Sequence, residues 1–377
     1  MGKLDRQRVK ESSLQAVKPA KASIPEYDSS ERSAVMVHRR PNFFYHLHPP
    51  TLPARESRFG YTFGLGGISL LLFLALGVTG VLEMFIYLPT LADAAASVRQ
   101  IAYLAPFGWL LRNMHYWAGQ MMVGTVILHM ARVVLSGGYK GRRSNWLIGM
   151  ALLALTLLLD FTGYVLRWDQ DTAWALVTGT NLVNAIPGIG PALYRLLIGG
   201  QTVGQATLLR FYAWHVLGLA LVATVLIVWH SFRVRRDGGI SHRKPAPGPA
   251  PRVGREQLVR TEAIAALLTL AALVGLSVLV NAPLGPAANL SVLMTAEPRA
   301  PWFFLWIQEL LRSAPVFLAG VLAPLAVFTL LSVLPYALDR GPAGVGEWFN
   351  PPGRLAQGVF LALVLAVIAL TARGLLR

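Results

Sequence analysis

Seven long apolar runs, separated by polar or basic connections, dominate the hydrophobic pattern of the chain. Each run has about twenty residues, the length that crosses a ~30 Å hydrocarbon layer as an α-helix. The predicted spans lie near residues 62–86, 109–135, 146–166, 210–233, 260–281, 314–337 and 354–374. The pattern therefore predicts an all-α, polytopic membrane protein in which a four-helix bundle precedes three further transmembrane helices.

The connections divide the chain into four predicted parts. A basic tail (1–57) precedes the four-helix domain (58–240), a Pro- and Arg-rich linker (241–256) follows, and a three-helix domain (257–377) ends the chain. The tail is polar, contains prolines and has no apolar core, so it does not resemble a signal peptide.

Two connections, 167–209 and 282–313, are too long and too apolar to be simple turns. In the first, the stretch "TAWALVTGTNLVNAIPGIGPALYRLL" is typical of short helices that lie along a membrane surface.

Composition and charge support the membrane assignment. Hydrophobic residues make up 54% of the chain and charged residues only 14%, and the formal net charge is +16. The positive charges gather in the tail, the turn at 140–143 and the stretch 233–260, which argues against nucleic-acid binding. Because cytoplasmic connections carry an excess of Lys and Arg, we expect a cytoplasmic N-terminus and, after seven spans, a periplasmic C-terminus in a bacterial inner membrane.

Four histidines inside two predicted spans are the main candidate chemistry. His115 and His129 are fourteen positions apart in the second span, and His215 and His230 are fifteen apart in the fourth. On an α-helix fourteen residues fall about 40° short of four full turns and fifteen overshoot by about 60°, so each pair shares roughly one face. The members of a pair are about 21–22 Å apart along the axis.

The second and fourth spans run in the same direction, because one span lies between them. His115 should therefore meet His215 near the outer face, and His129 should meet His230 near the inner face. Since a neutral imidazole can be an axial ligand of haem iron, the pattern predicts two haems b, each held by two histidines. The alternative is a proton-relay or hydrogen-bonded core role, as in a transporter without haem.

Glycines and one arginine support the haem interpretation. Gly66 and Gly80 in the first span, and Gly149 and Gly163 in the third, repeat the spacing of fourteen. Glycine allows another group to approach a helix closely, although packing between membrane helices is an alternative reason. Arg112, one turn before His115, could neutralise a haem propionate or simply anchor the helix at the interface.

Several short motifs occur in an order and spacing that resemble the cytochrome b subunit of bc-type quinol oxidoreductases, most of all its chloroplast and bacterial b/f-like form. They are "FGLGGISL", "RNMHYW", "ILHMAR", "FTGYVLRWDQ", "NAIPGIG", "RFYAWH" and "VWH". Residues 58–240 resemble the haem-binding half of this family, and 257–377 resemble the three-helix companion subunit, fused here into one chain.

The resemblance implies a function and partners. Quinol is expected to be oxidised near the outer face, where its protons are released. One electron would pass to an iron–sulfur protein and on to a c-type cytochrome, and the other through both haems to an inner quinone site. A dimeric complex with several subunits is also implied. A di-haem anchor of a dehydrogenase or hydrogenase is the alternative, but it leaves the last three spans unexplained.

The chain departs from the family at the outer quinol site, where the family has a Pro-Glu-Trp-Tyr motif. In "EPRAPWFFLWIQELLR" Trp302 aligns, but Pro301 takes the glutamate position and a phenylalanine the tyrosine position. We expect Glu309 to replace the missing carboxylate, with Glu297 as second choice; Glu309 could instead pair with the arginine three residues later. The "APWFF" version is similar to cytochromes b that use menaquinol.

Five further positions carry predictions. Arg167 stands where the family usually has proline, so a changed bend is expected after the third span. The family's b/f-like form attaches a third haem through cysteine, but the chain has no cysteine and Gly64 at that position, so two haems are expected. Arg235 matches an arginine of the inner quinone pocket, and could bind quinone or a propionate or act as a positive-inside anchor. In the tail, a metal site at His46 and His48 is a weak alternative to a partner contact.

Overall fold

The computed structural model describes residues 50–54, 57–239, 251–291 and 299–376. Across these ranges, seven helices are long and apolar enough to cross a membrane. They are numbered spans 1 to 7 below: Leu65–Glu83, Gly108–Leu135, Arg143–Leu166, Gln205–Arg236, Arg255–Leu279, Leu318–Ala337 and Pro351–Leu376. The all-α, seven-span prediction is confirmed. The division of the chain into four parts stays a prediction.

Shorter helices precede span 1 and occupy connections between spans. They are Phe59–Thr62, Ala94–Tyr103, Gln170–Asn184, Gly190–Ile198 and Leu305–Leu311. Two of them form the helical connection expected after span 3, and Asp169 caps the first by accepting a hydrogen bond from the Thr172 backbone. The helix Ala94–Tyr103 was not anticipated.

Two three-residue strands pair the segment before span 1 with the segment before span 5. Strand β1 (Thr51–Pro53) runs antiparallel to β2 (Arg252–Gly254), with Thr51 opposite Gly254. The end of the predicted linker is therefore fixed by backbone hydrogen bonds to the chain that leads into the first span.

Span 4 contains a π-helical turn at Trp214–Leu219, between the helical segments Gln205–Ala213 and Ala220–Arg236. A π-turn accommodates one extra residue within an α-helix. That residue removes about 100° of rotation from the step between His215 and His230, which changes an overshoot of about 60° into a shortfall of about 40°. The fifteen-residue step thus becomes equivalent to the fourteen-residue step of span 2.

The N-terminal and C-terminal halves pack together around the turn between spans 2 and 3. The ammonium of Lys140 is fully buried there, 2.9 Å from the Asp339 carboxylate, which also accepts a hydrogen bond of 2.7 Å from the Tyr139 hydroxyl. Beside this pair, Trp146 and Phe360 form part of an apolar cluster. A buried ion pair with a second hydrogen bond joins the two halves at this end of the bundle.

Candidate functional site

A cavity of about 1010 Å³ lies among the first four spans, with part of span 5 on its wall. All four histidines singled out in the sequence line it, together with Gly66, Gly80, Gly149 and Gly163. The walls are mostly apolar, as is usual for a site that holds a cofactor. Spans 1 and 3 present the glycines and spans 2 and 4 the histidines.

The histidines form two pairs, one above the other along the bundle. The ring centroids of His115 and His215 are 6.3 Å apart (pair 1), and those of His129 and His230 are 6.5 Å apart (pair 2). A metal ion about 2 Å from one nitrogen of each ring would separate the ring centroids by roughly 6–6.5 Å. Both spacings therefore fit a single metal ion between two imidazoles.

Hydrogen bonds fix the rings of pair 1. Nδ1 of His115 lies 2.9 Å from the Thr79 hydroxyl, and Nδ1 of His215 lies 3.0 Å from the Leu159 carbonyl and 3.2 Å from the Thr162 hydroxyl. Because a carbonyl only accepts, the Leu159 contact favours the tautomer with the proton on Nδ1. The other nitrogen, Nε2, is then free to bind a metal, and the outer hydrogen bond orients the ring.

Each histidine packs against one of the four glycines. A β-carbon at Gly163 would lie 2.6 Å from Cε1 of His215, and one at Gly80 would lie 3.1 Å from Cε1 of His115. At Gly66 and Gly149 the corresponding distances, to His129 and His230, are 3.5 Å. The two helices that carry no histidine thus have no side chain where the imidazoles approach them, which fits a flat cofactor held between the four spans.

Arginines line the cavity near each pair. Arg112 and Arg167 lie toward pair 1, and Arg132, Arg142 and Arg235 lie toward pair 2. Arg112 donates to the Ala282 and Pro283 carbonyls, Arg132 to the Tyr61 carbonyl and Arg142 to the Asp237 and Gly239 carbonyls, so these three also bond the protein itself, as does Arg167. Guanidinium groups at both ends can neutralise acidic substituents of a cofactor.

Arg167 ends span 3 and forms an ion pair with Asp169. Its guanidinium carbon lies 4.9 Å from the centre of the Tyr164 ring. Asp169 also accepts a hydrogen bond of 2.9 Å from the Gly285 backbone, which belongs to the connection after span 5. The residue that replaces the family's usual proline is thus part of a contact between the two halves.

Three carboxylates on the cavity wall, Glu83, Asp160 and Glu262, were not predicted from the sequence. Glu83, at the end of span 1, interacts electrostatically with Arg112, and its Oε1 atom is buried without a hydrogen-bond partner in the described structure. Asp160 lies within span 3 and lines the same cavity. An acidic residue inside an apolar span is itself a signal of function, so the "LLLDFTG" stretch could have revealed Asp160.

The predicted outer quinol loop contacts the cavity wall only in part. The Trp302 indole N–H donates a 3.0 Å hydrogen bond to the side-chain oxygen of Gln120, which lines the cavity. Pro301 precedes this contact and begins the turn that leads into the helix Leu305–Leu311. Glu297 lies outside the described residues, as do His46 and His48.

Glu309 does not line the cavity. Its side chain is buried and paired with two arginines, at 2.7 Å from Arg312 and 3.3 Å from Arg373. The pairing with Arg312 is the alternative that its spacing suggested. Its place in quinol chemistry stays a prediction, and in this structure its charge is already neutralised by arginines.

Two family models and several relatives match the chain. Residues 53–238 match the family described as "Cytochrome b/b6/petB", and residues 287–376 match "Cytochrome b(C-terminal)/b6/petD". A cytochrome b6 of Bigelowiella natans is 44% identical over 175 residues, which are 46% of this chain and 81% of that protein. The chain belongs to the cytochrome b family. A cytochrome b6 of Synechococcus sp. (strain JA-3-3Ab) is 45% identical over the same shares of both chains.

A solved structure gives the same fold. The chain is similar to one from a "Hyperthermophilic respiratory Complex III", with a TM-score of 0.69, 25% identity and 83% coverage of each chain. Membership of the cytochrome b family identifies a multi-pass membrane protein of the bc- and b6-type quinol oxidoreductases, with haem b as the family's redox cofactor. Both halves of the family occur here in one chain, as the sequence resemblance predicted.

Proposed function

We propose that the chain is the di-haem core of a quinol:cytochrome c oxidoreductase. The observation that carries the proposal is the stacking of two imidazole pairs, with ring centroids 6.3 and 6.5 Å apart, in one cavity whose other walls carry glycine. A proton relay does not require two imidazole rings at the spacing that a metal ion between them would set. It also does not require a glycine opposite each of the four rings.

Each pair would hold one haem b. His115 and His215 would ligate the first iron, with Gly80 and Gly163 beside them. His129 and His230 would ligate the second, with Gly66 and Gly149 beside them. Bound haem supplies reversible one-electron chemistry. The chain's own part is to orient the imidazoles through Thr79, Leu159 and Thr162, to keep water from the irons and to neutralise the propionates with arginine.

Quinol would be oxidised near pair 1 and quinone reduced near pair 2. The positive-inside rule assigns pair 1 to the outer side, because the basic turn at Lys140–Arg143 lies at the pair 2 end. Trp302, through its bond to Gln120, supports an outer site beside pair 1. Arg235, on the cavity wall beyond His230, supports an inner quinone site. Electron transfer between the two sites would move charge across a bacterial inner membrane and so contribute to proton translocation.

The proposal includes partners and a substrate. The first electron of each quinol would go to an iron–sulfur protein and then to a c-type cytochrome, within a dimeric complex. The "APWFF" sequence supports menaquinol as the substrate. Pro301, Trp302, Glu309 and Glu297 remain the loop's candidate quinol-site residues.

Spectroscopy of the purified complex tests the proposal. Haem b should be present at two per chain, and quinol should reduce it in a way that outer-site inhibitors block. His129→Leu should remove one low-spin signal, and His115→Leu the other. The identity of the copurified subunits and quinone tests the partners and the menaquinol assignment. Absence of haem, or two low-spin signals in either variant, would refute the di-haem assignment.

A further inference from the structure

Asp160 is a carboxylate inside an apolar span without a charged partner at bonding distance. It faces the cavity from span 3, three residues before Gly163. Within the described parts of the chain its side chain forms neither a hydrogen bond nor an ion pair. Keeping an acidic group at membrane depth is energetically costly, and such groups are usually retained for proton or ion transfer.

Two contacts place Asp160 beside the predicted quinol loop. Its Oδ1 atom lies 3.2 Å from the position that a β-carbon of Gly119 would occupy, and the next residue on span 2, Gln120, binds the Trp302 indole. The residue after Asp160, Phe161, packs its ring edge-on against the Phe304 ring of the predicted quinol loop, with centroids 6.2 Å apart. The carboxylate therefore lies where span 2, span 3 and the loop meet.

The surroundings of Asp160 suit transfer of a proton toward the outer side. The titratable and charged groups that line this part of the cavity come from every element around it: Glu83 on span 1 and Tyr87 just after it, Arg112, His115 and Tyr116 on span 2, Tyr164 on span 3 and Arg167 just after it, and Tyr212 and His215 on span 4. Tyr116 is near enough to Asp160 to interact with it electrostatically. Arg167, one to two turns further on, lies 4.0 Å from Asp171, whose side chain is 55% exposed.

We propose that Asp160 is the catalytic base of the outer site, accepting a proton from a quinol hydroxyl. The inference rests on the proposed quinol oxidation. Oxidation of one quinol to quinone breaks two O–H bonds and releases two protons and two electrons. One proton forms the O–H bond of the neutral Asp160 acid and is then released to water on the outer side, beyond Tyr164; the other goes directly to water. The two electrons would go to the acceptors of the proposed function, one to the iron–sulfur protein and one to the haem that His115 and His215 would hold.

With this assignment Asp160, and not Glu309, replaces the glutamate that the family has at its outer quinol site. Glu309 is held by two arginines and lies off the cavity wall, whereas Asp160 lies on the wall and is unpaired. If Asp160 is the base, its substitution should slow quinol oxidation and that of Glu309 should not, and the reverse holds if Glu309 is the base. One assay can therefore compare the two variants.

The test uses the purified full complex with Asp160→Asn, Asp160→Glu and Glu309→Gln, and Asp93→Asn as a matched control on an exposed outer helix cap. Haem content and dithionite reduction should match wild type in all four. Quinol-driven haem reduction should fall at least about 100-fold in Asp160→Asn, the lower range for loss of a general base. Asp160→Glu should recover activity with a shifted pH profile. The infrared difference spectrum on quinol oxidation should lose a carboxylic C=O band in Asp160→Asn.

Chemical rescue provides a second measurement if the asparagine variant does not assemble. Asp160→Ala should be slow and should regain activity with added formate, a small mobile base. Wild-type rates in Asp160→Asn, or loss of the infrared band in Glu309→Gln instead, would overturn the inference. If quinol fails to reduce haem in wild type, the proposed function itself is wrong, so the two failures are distinguishable.

Discussion

An alanine at Gly163 would place its β-carbon 2.6 Å from Cε1 of His215 and 3.1 Å from both ring nitrogens. Carbon atoms in contact are normally about 3.5–4.0 Å apart, so the ring would have to move by about 1 Å. The ring cannot move freely, because Nδ1 is bonded to the Leu159 carbonyl at 3.0 Å on the same helix as Gly163. A shift of this size would stretch that hydrogen bond beyond the usual limit of about 3.2 Å.

The energetic balance favours loss of the ligand geometry. A buried polar group left without its hydrogen bond costs about 1–3 kcal/mol, whereas alanine gains about 1 kcal/mol over glycine in a helix interior. The gain in helix stability does nothing to return the His215 ring to its position. We therefore expect Gly163→Ala to fold and to lose the haem of pair 1, with the other haem retained.

The four glycines supply a graded series for the assay. Alanine at Gly80 would meet His115 at 3.1 Å and should perturb pair 1 moderately, while Gly66→Ala and Gly149→Ala meet their histidines at an ordinary 3.5 Å. Haem per chain and the two low-spin resonance signals should be measured in all four variants. The loss of haem should be largest for alanine at Gly163, smaller at Gly80 and smallest at Gly66 and Gly149. Full haem content and unchanged signals in Gly163→Ala would refute the reasoning from this geometry.

Three further predictions concern groups outside that series. Lys140→Met leaves the buried Asp339 carboxylate unpaired, and should cost about 3–5 kcal/mol of stability, seen as a lower melting temperature that Asp339→Asn in the same chain partly restores. Thr79→Val removes the hydroxyl at Nδ1 of His115 and should weaken the haem site of pair 1 by about 10- to 100-fold, with a shifted midpoint potential for that haem alone. Burial by itself would raise the pKa of Asp237, but a hydrogen bond and the charges of neighbouring arginines lower it. Its pairing therefore stabilises the protein above about pH 4 and is lost as the pH falls further, so the melting temperatures of wild type and Asp237→Asn should differ at neutral pH and converge in acid.

The spans and the histidine pairs follow from the sequence because both depend on regular spacing. A run of apolar residues defines a span by length alone, and a step near fourteen keeps His115 and His129 on one helix face. The parallel direction of spans 2 and 4 then determines which histidine meets which. The structure has the same seven spans and brings together the same two pairs.

Other features depend on contacts between distant segments, which no local pattern reveals. The strand pairing of Thr51 with Gly254 joins residues about 200 positions apart in sequence, and the bond from Trp302 to Gln120 spans nearly as many. Glu309 shows the limit most clearly. Its spacing from Arg312 was visible in the sequence, but the approach of Arg373 from span 7 required the fold.

The π-turn in span 4 has a consequence for how such sites are compared between proteins. Because Trp214–Leu219 takes up one residue within a single widened turn, chains whose histidines are fourteen positions apart and chains whose histidines are fifteen apart can build the same pocket. A gain or loss of one residue here would be absorbed locally, without rotating the lower half of the helix. Residue counting alone would separate relatives whose histidines have the same geometry, so alignments of this helix should permit one gap at that turn.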